Sequence, residues 1–328
     1  MTALRSRPVN GFTLVELLVV AGLMAGMLGL VLATARPDPG VQLRRFSQSV
    51  SSSILATQTR ALGNESGAAL VIAAPSGTTP AASELFFADI PPAITGSISA
   101  LPNTPIISGT AGVLTLSPDN ADSVENGYRI RFLNAASVTT PRTPWFRFSA
   151  SGATPGTVTG TASFDAAVSQ TARNTIWPMT SGSSMAFQLG LFPRASTPAF
   201  PVIKQAGIDL RYSGVGDDPS STFGKLDGST PICICFDRTG RLDCLIGSRP
   251  SQPQVPFTPT APLYLLLAAL VDIEADRALQ SEASRWLVIT PGTGRTSLAK
   301  NVPQTGGTPA DVKAARLHAR AGVGTGGR

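Results

Sequence analysis

The chain has 328 residues, with 26 Lys and Arg against 20 Asp and Glu for a net charge of +6, and it is 42% hydrophobic but only 14% charged. Its 32 Gly and 27 Pro, with abundant Ser, Thr and Ala, suit a β-rich, loop-rich extracytoplasmic body better than a helical bundle, and the length allows one good core or two small ones. The basic residues are spread along the chain without a block interleaved with aromatics, which argues against a nucleic-acid partner.

From the amino terminus, Met1 to Gly11 carries Arg5 and Arg7, no acid, and Pro8, which stops a helix from extending backward. Phe12 to Ala35 follows with Glu16 as its only charge. As a helix this stretch extends roughly 36 Å at about 1.5 Å per residue, enough to cross a hydrocarbon core of about 30 Å. The polar-to-apolar change falls between Gly11 and Phe12, before the apolar stretch, whereas a secretory signal is cut after it. The leader is therefore expected to be removed and the apolar segment retained. A carboxylate such as Glu16 inside an apolar segment is costly and calls for a partner or a function. Gly22 and Gly26, with Gly29 close by, form a small-xxx-small face that lets helices approach closely.

The run Gly11-Phe12-Thr13-Leu14-Val15-Glu16 resembles the processing signal of type IV prepilins and type II secretion pseudopilins. The resemblance covers about the first 35 residues. It implies cleavage after Gly11 by a prepilin peptidase, N-methylation of Phe12, and pairing of Glu16 with the Phe12 amine of a neighbouring subunit during assembly. It also implies partners in the inner membrane and in other pilin-like subunits, a cytoplasmic amino terminus, a periplasmic body, and a filament after assembly.

Arg36-Pro37-Asp38-Pro39-Gly40 predicts a break, because neither proline donates and each restricts its predecessor. Members of the family typically run one long helix through this point, so the break is a departure that points to a minor or atypical subunit. Over residues 41–63 helical character resumes, with Leu43, Phe46, Val50, Ile54 and Thr57 or Ala61 on one face. Short apolar runs between Pro, Gly and Ser clusters then predict strands at 69–73, 84–87, 113–116, 128–133, 145–148, 185–191 and 208–212. Alternation in Tyr128-Arg129-Ile130-Arg131-Phe132 and Trp145-Phe146-Arg147-Phe148 predicts half-exposed strands. The expected fold class is α+β: an N-terminal transmembrane helix over 12–35, an amphipathic helix, then a β-rich pilin-like globular domain with antiparallel hairpins over 64–301. Residues 302–328 are expected as a flexible tail.

Ile232 to Phe236, Asp237 to Gly240 and Arg241 to Ile246 read as a hairpin with a short Gly-containing turn. Its Phe-Asp-x-x-Gly turn resembles the late hairpin of minor pseudopilins. A second unit ends in Arg285-Trp286-Leu287-Val288-Ile289-Thr290 and a Pro291-Gly292-Thr293-Gly294 turn. The Pro-Leu-Tyr-Leu-Leu run and the Trp-Leu-Val-Ile-Thr-Pro-x-Thr-Gly-Arg ending are similar to a group of pilin-like proteins found in cassettes of Verrucomicrobia.

All three cysteines, Cys233, Cys235 and Cys244, fall on the first hairpin. In an oxidising compartment they predict a disulfide from Cys244 to either Cys233 or Cys235; the bland alternative is three small buried hydrophobes. A closed metal site wants four ligands, and the single histidine is His318, so no metal is expected. Ser297-x-x-Lys300 has the spacing of a serine acyl enzyme without its companion motifs, and Pro291 to Thr296 lacks the Gly-Lys-Ser/Thr of a phosphate loop. No catalytic residue and no cofactor is expected. The readings left are a structural filament subunit and, alternatively, a membrane-tethered adhesive or substrate-binding module at a filament tip.

Overall fold

A computed structural model describes residues 14–34, 39–73, 80–98, 112–118, 129–134, 137–141, 145–154, 157–163, 185–198, 205–219, 231–249 and 252–324, with Thr143, Phe200, Pro201, Thr222 and Phe223. The chain divides into two units, Met1–Val41 and Gln42–Arg328. Helix α1 (Leu14–Thr34) belongs to the first, and α2 (Pro39–Leu62) supplies most of its length to the second. Then come β1 (Ala68–Ile72), β2 (Ala81–Ala82) and β3 (Glu84–Asp89). A block of seven strands follows: β4 (Ile94–Ile98), β5 (Gly112–Pro118), β6 (Arg129–Asn134), β7 (Ser137–Pro141), β8 (Phe146–Thr154), β9 (Thr157–Ser163) and β10 (Met185–Gly190). The chain continues through β11 (Arg194–Ala195), β12 (Phe200–Pro201), β13 (Ala206–Val215), β14 (Ile232–Phe236), β15 (Leu242–Arg249), β16 (Gln252–Phe257) and β17 (Leu263–Ala269). It closes with α3 (Leu270–Glu274), β18 (Arg285–Ile289), β19 (Thr296–Lys300) and α4 (Pro309–Gly324).

Two parts of the expected fold class are corrected. Among the described residues strand exceeds helix, 41% against 29%, in three antiparallel sheets, so the expected α+β class is replaced by a strand-rich one. The transmembrane helix expected over 12–35 is also overturned: among the described residues no helix is long and apolar enough to cross a membrane.

The central sheet runs β11-β3-β1-β14-β15-β16, with β12 also on β3. Every residue of β1 and β14 is buried, because both faces of these apolar strands are covered. One face shares a core with α2 and a five-stranded sheet of order β19-β18-β17-β13-β2. Within that core Leu43, Phe46, Val50, Ile54, Thr57 and Ala61 of α2 are all buried. The spacing of three and four puts them on one stripe. Pro39 starts α2 inside the expected break, at the first helical position, where its missing N–H costs nothing. The buried hydroxyls on α2 are satisfied inside the helix: Ser47 donates to Leu43 O (2.8 Å) and Thr57 to Ser53 O (2.8 Å).

The block from β4 to β10 is more than a string of hairpins. Its sheet runs β10-β4-β5-β9-β8-β6-β7, and β10 also pairs with β6, so the strands from β10 round to β6 close into an antiparallel barrel. Its interior holds Ile98, Leu116, Ile130, Phe132, Phe148, Val158, Phe187 and Leu189. Closure removes the exposed edges that a ladder of short strands leaves open. The barrel is inserted between β3 and β11, which pair with each other.

The tail expected over 302–328 is corrected as well. Helix α4 packs Val312, Ala315 and Ala319 against the five-stranded sheet, in a core with Tyr212, Tyr264, Trp286 and Val288. Its start is fixed by Thr308: the Thr308 N–H and hydroxyl donate to Asp311 Oδ2 (3.1 and 2.6 Å), and the Asp311 N–H donates back to Thr308 Oγ1 (3.3 Å).

Ile54 is fully buried where α2 meets the two sheets, and Leu55 beside it is 52% exposed. Ile54→Ala is expected to cost about 2–5 kcal/mol in urea unfolding, and Leu55→Ala under about 1 kcal/mol. Equal losses contradict this packing.

Candidate functional site

On α1, Glu16 lies in the first turn, where an acid complements the positive end of the helix dipole. Leu14, Val15, Leu17, Leu18, Val19, Val20, Leu23, Met24 and Met27 are all exposed, between 48% and 79%. Val19, Gly22, Leu23, Gly26 and Met27 line a shallow groove, and open space surrounds the two glycines where a Cβ would stand. Gly11 and Phe12, the expected processing residues, lie outside the described residues.

A second cluster joins the barrel to the central sheet. Trp145, just ahead of β8, donates from Nε1 to Asp243 Oδ2 (2.8 Å) on β15. The guanidinium carbons of Arg129 and Arg131, both on β6, each lie 4.3 Å from the Trp145 ring centroid. Arg131 donates to Asp243 Oδ1 (3.4 Å) through Nη1 and to Gln188 Oε1 (2.8 Å) through Nε. Arg129 Nη1 stands 4.0 Å from Asp243 Oδ2. The expectation that β6 is half-exposed is therefore corrected: Arg129 points out of the barrel yet is only 2% exposed, because the central sheet covers it. One carboxylate faces two cations across an aromatic plate, in a layer largely closed to water.

The position of Asp243 depends on a β-bulge. Phe236 pairs with Leu242 and Cys235 with Cys244, so Asp243 is the extra residue on β15. Leu242 and Leu245 join the core shared with α2, whereas Cys244 and Ile246 join the barrel-facing core. The bulge thus allows both Asp243 and Cys244 to face the barrel, which strict alternation forbids.

Cys233, Cys235 and Cys244 are all buried in the barrel-facing core with Trp145. Burial pushes the Cys233 thiol up to about 12, with the charge of Cys244 adding and Arg129 opposing, and it pushes Cys235 well above the ordinary thiol range. Both are protonated at neutral pH, and Asp243 is the carboxylate beside Arg129. Among the described residues no group of three His, Cys, Asp or Glu is placed to hold a metal ion.

Two hairpin turns repeat a local design. Thr239-Gly240-Arg241 ends the β14–β15 turn and Thr293-Gly294-Arg295 the β18–β19 turn. Asp237 Oδ1 accepts from Thr239 N (2.8 Å), the Thr239 hydroxyl (2.6 Å) and Arg241 N (3.0 Å). Gly240 and Gly294 have φ of 77° and 66°, a region that favours glycine. Gln58 Nε2 of α2 donates to both glycine carbonyls, at 3.1 Å and 2.6 Å.

The enzyme-like motifs fall apart in three dimensions. Ser297 and Lys300 lie on strand β19, where a spacing of three sends side chains to opposite faces. The Gly294 N–H donates to Thr290 O (2.7 Å), so it closes a turn and does not cradle an anion. His318 is exposed on α4. The sequence reading missed Arg316 on the same helix: fully buried, it donates from Nη1 to Gly216 O (2.8 Å) and Asp218 O (3.0 Å), and from Nη2 to Tyr212 O (2.8 Å). Burial pulls its pKa down to about 10, and these carbonyls hold the charge at neutral pH.

No family model matches the chain, and no curated protein or solved structure is found to be similar to it.

The buried thiols give the folded chain a pH dependence. An unfolded Cys233 loses its proton near 9.0 while the folded one keeps it to about 12, so the folded state binds more protons in that window. Stability therefore falls as pH rises through it, by up to about 1.4 kcal/mol per pH unit for each such thiol. Urea midpoints of the reduced protein between about pH 8 and about pH 10.5 are expected to drop, and to drop less in Cys233→Ala. A flat profile contradicts the assignment.

Proposed function

We propose that this chain is a pilin-like or pseudopilin structural subunit, cut after Gly11 by a prepilin peptidase, methylated on Phe12, and assembled through α1 into a type IV pilus or type II secretion-like filament. The observation that carries the reading is Gly11-Phe12-Thr13-Leu14-Val15-Glu16 leading into a helix whose large apolar side chains are exposed. A surface of that kind, nine large apolar residues around one helix, needs a cover, and the same helix of neighbouring copies supplies one of matching chemistry. Gly22 and Gly26 permit close approach of two such helices, and Glu16 meets the new amine of Phe12 on the next subunit. The body lies on the outer side of the inner membrane and becomes part of the filament after assembly. The role is structural and not catalytic.

A second reading, an adhesive or substrate-binding head carried at a filament tip, draws on the inserted barrel, which adds a closed module between two strands that already pair.

Mass spectrometry of the protein from cells with and without a prepilin peptidase tests the first reading. The expected mature chain begins at methylated Phe12 only when the peptidase is present, and Glu16→Ala is expected to stop filament formation while leaving the urea midpoint of the body unchanged. An intact Met1 start in both strains refutes it. Surface binding by a fragment starting at Gln42, with normal filaments in its absence, favours the second reading.

A further inference from the structure

We propose that Cys235 and Cys244 are a built dithiol pair that closes into a disulfide under oxidising conditions, with Cys233 left as the unpaired thiol. The sequence leaves two partners open for Cys244, and the strand register decides between them. Cys235 stands directly opposite Cys244, whereas Cys233 stands opposite Ile246. Directly opposed residues in an antiparallel pair have Cα atoms about 4.5–5.5 Å apart, inside the range of about 4.4–6.8 Å that a disulfide spans. The diagonal from Cys233 to Cys244 is about 7–8 Å, beyond it. The bulge at Asp243 adds a second condition. By absorbing one residue between Leu242 and Cys244 it brings Cys244 onto the face that Cys235 and Cys233 already occupy.

The chemistry is thiol–disulfide exchange with a disulfide oxidant. One cysteine thiolate attacks the oxidant and forms a mixed disulfide, releasing one oxidant thiolate. The second cysteine thiolate then attacks its neighbour's sulfur and releases the other. Two S–H bonds are lost from the chain, one S–S bond forms, and the oxidant's S–S bond becomes two thiols that take up the two protons. Both cysteines are 0% exposed in the folded body, so the exchange occurs on the hairpin before the barrel packs over it. Once closed, the bond pins the bulge that presents Asp243 to Trp145, and so fixes the clamp between the central sheet and the barrel.

The inference rests on the proposed export only for the source of the oxidant, and a test in vitro separates the two. Full-length protein, reduced in denaturant and refolded with oxidised glutathione, is alkylated and digested with trypsin. Cleavage at Arg238 and Arg241 places Cys233 and Cys235 on one peptide and Cys244 on another. The expected product is a cross-link between these peptides with Cys233 alone alkylated. The link is retained in Cys233→Ala and lost in Cys235→Ala, and reduction lowers the melting temperature by about 5 °C. Three alkylated cysteines, or fragment ions placing the link on Cys233, overturn the proposal. The wild-type fragment ions answer the question even where a variant does not refold.

Discussion

A sheet whose central strands are apolar on both faces has to be covered twice, and this requirement organises the second unit of the chain. β1 and β14 bury every residue they contain. Their alternate residues split cleanly: Leu70, Ile72, Ile234 and Phe236 go to the core shared with α2, and Ala69, Val71, Cys233 and Cys235 to the barrel side. Helix α2 and the five-stranded sheet cover the first face. The barrel covers the second, where it presents Trp145, a flat apolar plate with a polar edge.

That second covering is where polar chemistry enters the interior. A barrel strand that alternates correctly must put something outward, and β6 puts out Arg129 and Arg131. Once the central sheet lies over them the two cations lose most of their water, a cost that packing alone does not repay. Asp243 answers part of it, by accepting from Arg131 and standing 4.0 Å from Arg129, whose Nε and Nη1 have no hydrogen-bond partner among the described residues, and it reaches the required face only through the bulge. The bulge, the acid, the tryptophan and the two arginines are therefore one device. Replacing any one of them alone strands the others in a dry layer.

Much of the local structure was legible in the sequence because it follows from periodicity. The stripe from Leu43 to Ala61 and the apolar runs at β1, β3, β10 and β13 are read directly from spacings of three and four or from alternation. The α4 helix does carry a signal in the sequence: Thr308-Pro309-Ala310-Asp311 is a capping sequence, and Val312, Ala315 and Ala319 follow at helical spacing. Barrel closure was not legible, because whether β10 pairs with β4 alone or with β6 as well depends on contacts across more than fifty residues. The clamp was equally hidden. Arg129 and Asp243 look like ordinary outward charges on their strands, and only the stacking of one sheet on another, together with a single-residue slip, turns them into buried partners. The run Gly11 to Glu16 is the opposite case: it is read from the sequence alone, and Gly11, Phe12 and Thr13 lie outside the described residues.

The two Thr-Gly-Arg turns show how a helix can register two sheets. Each turn needs a glycine with positive φ, and each glycine carbonyl accepts from α2. A single amide, Gln58, serves both, and a Cβ on Gly294 would strike the Gly240 carbonyl and the Gln58 amide. Hydrophobic burial along α2 is non-directional and tolerates sliding of one sheet against the other, whereas two short hydrogen bonds from one side chain do not. The apolar stripe of α2 thus holds the two sheets together, and Gln58 fixes where along the helix they meet. Gln58 stands one turn from the C-terminal end of α2, so the helix that is apolar along its buried stripe has a polar finish that locks the two turns of the body in one position.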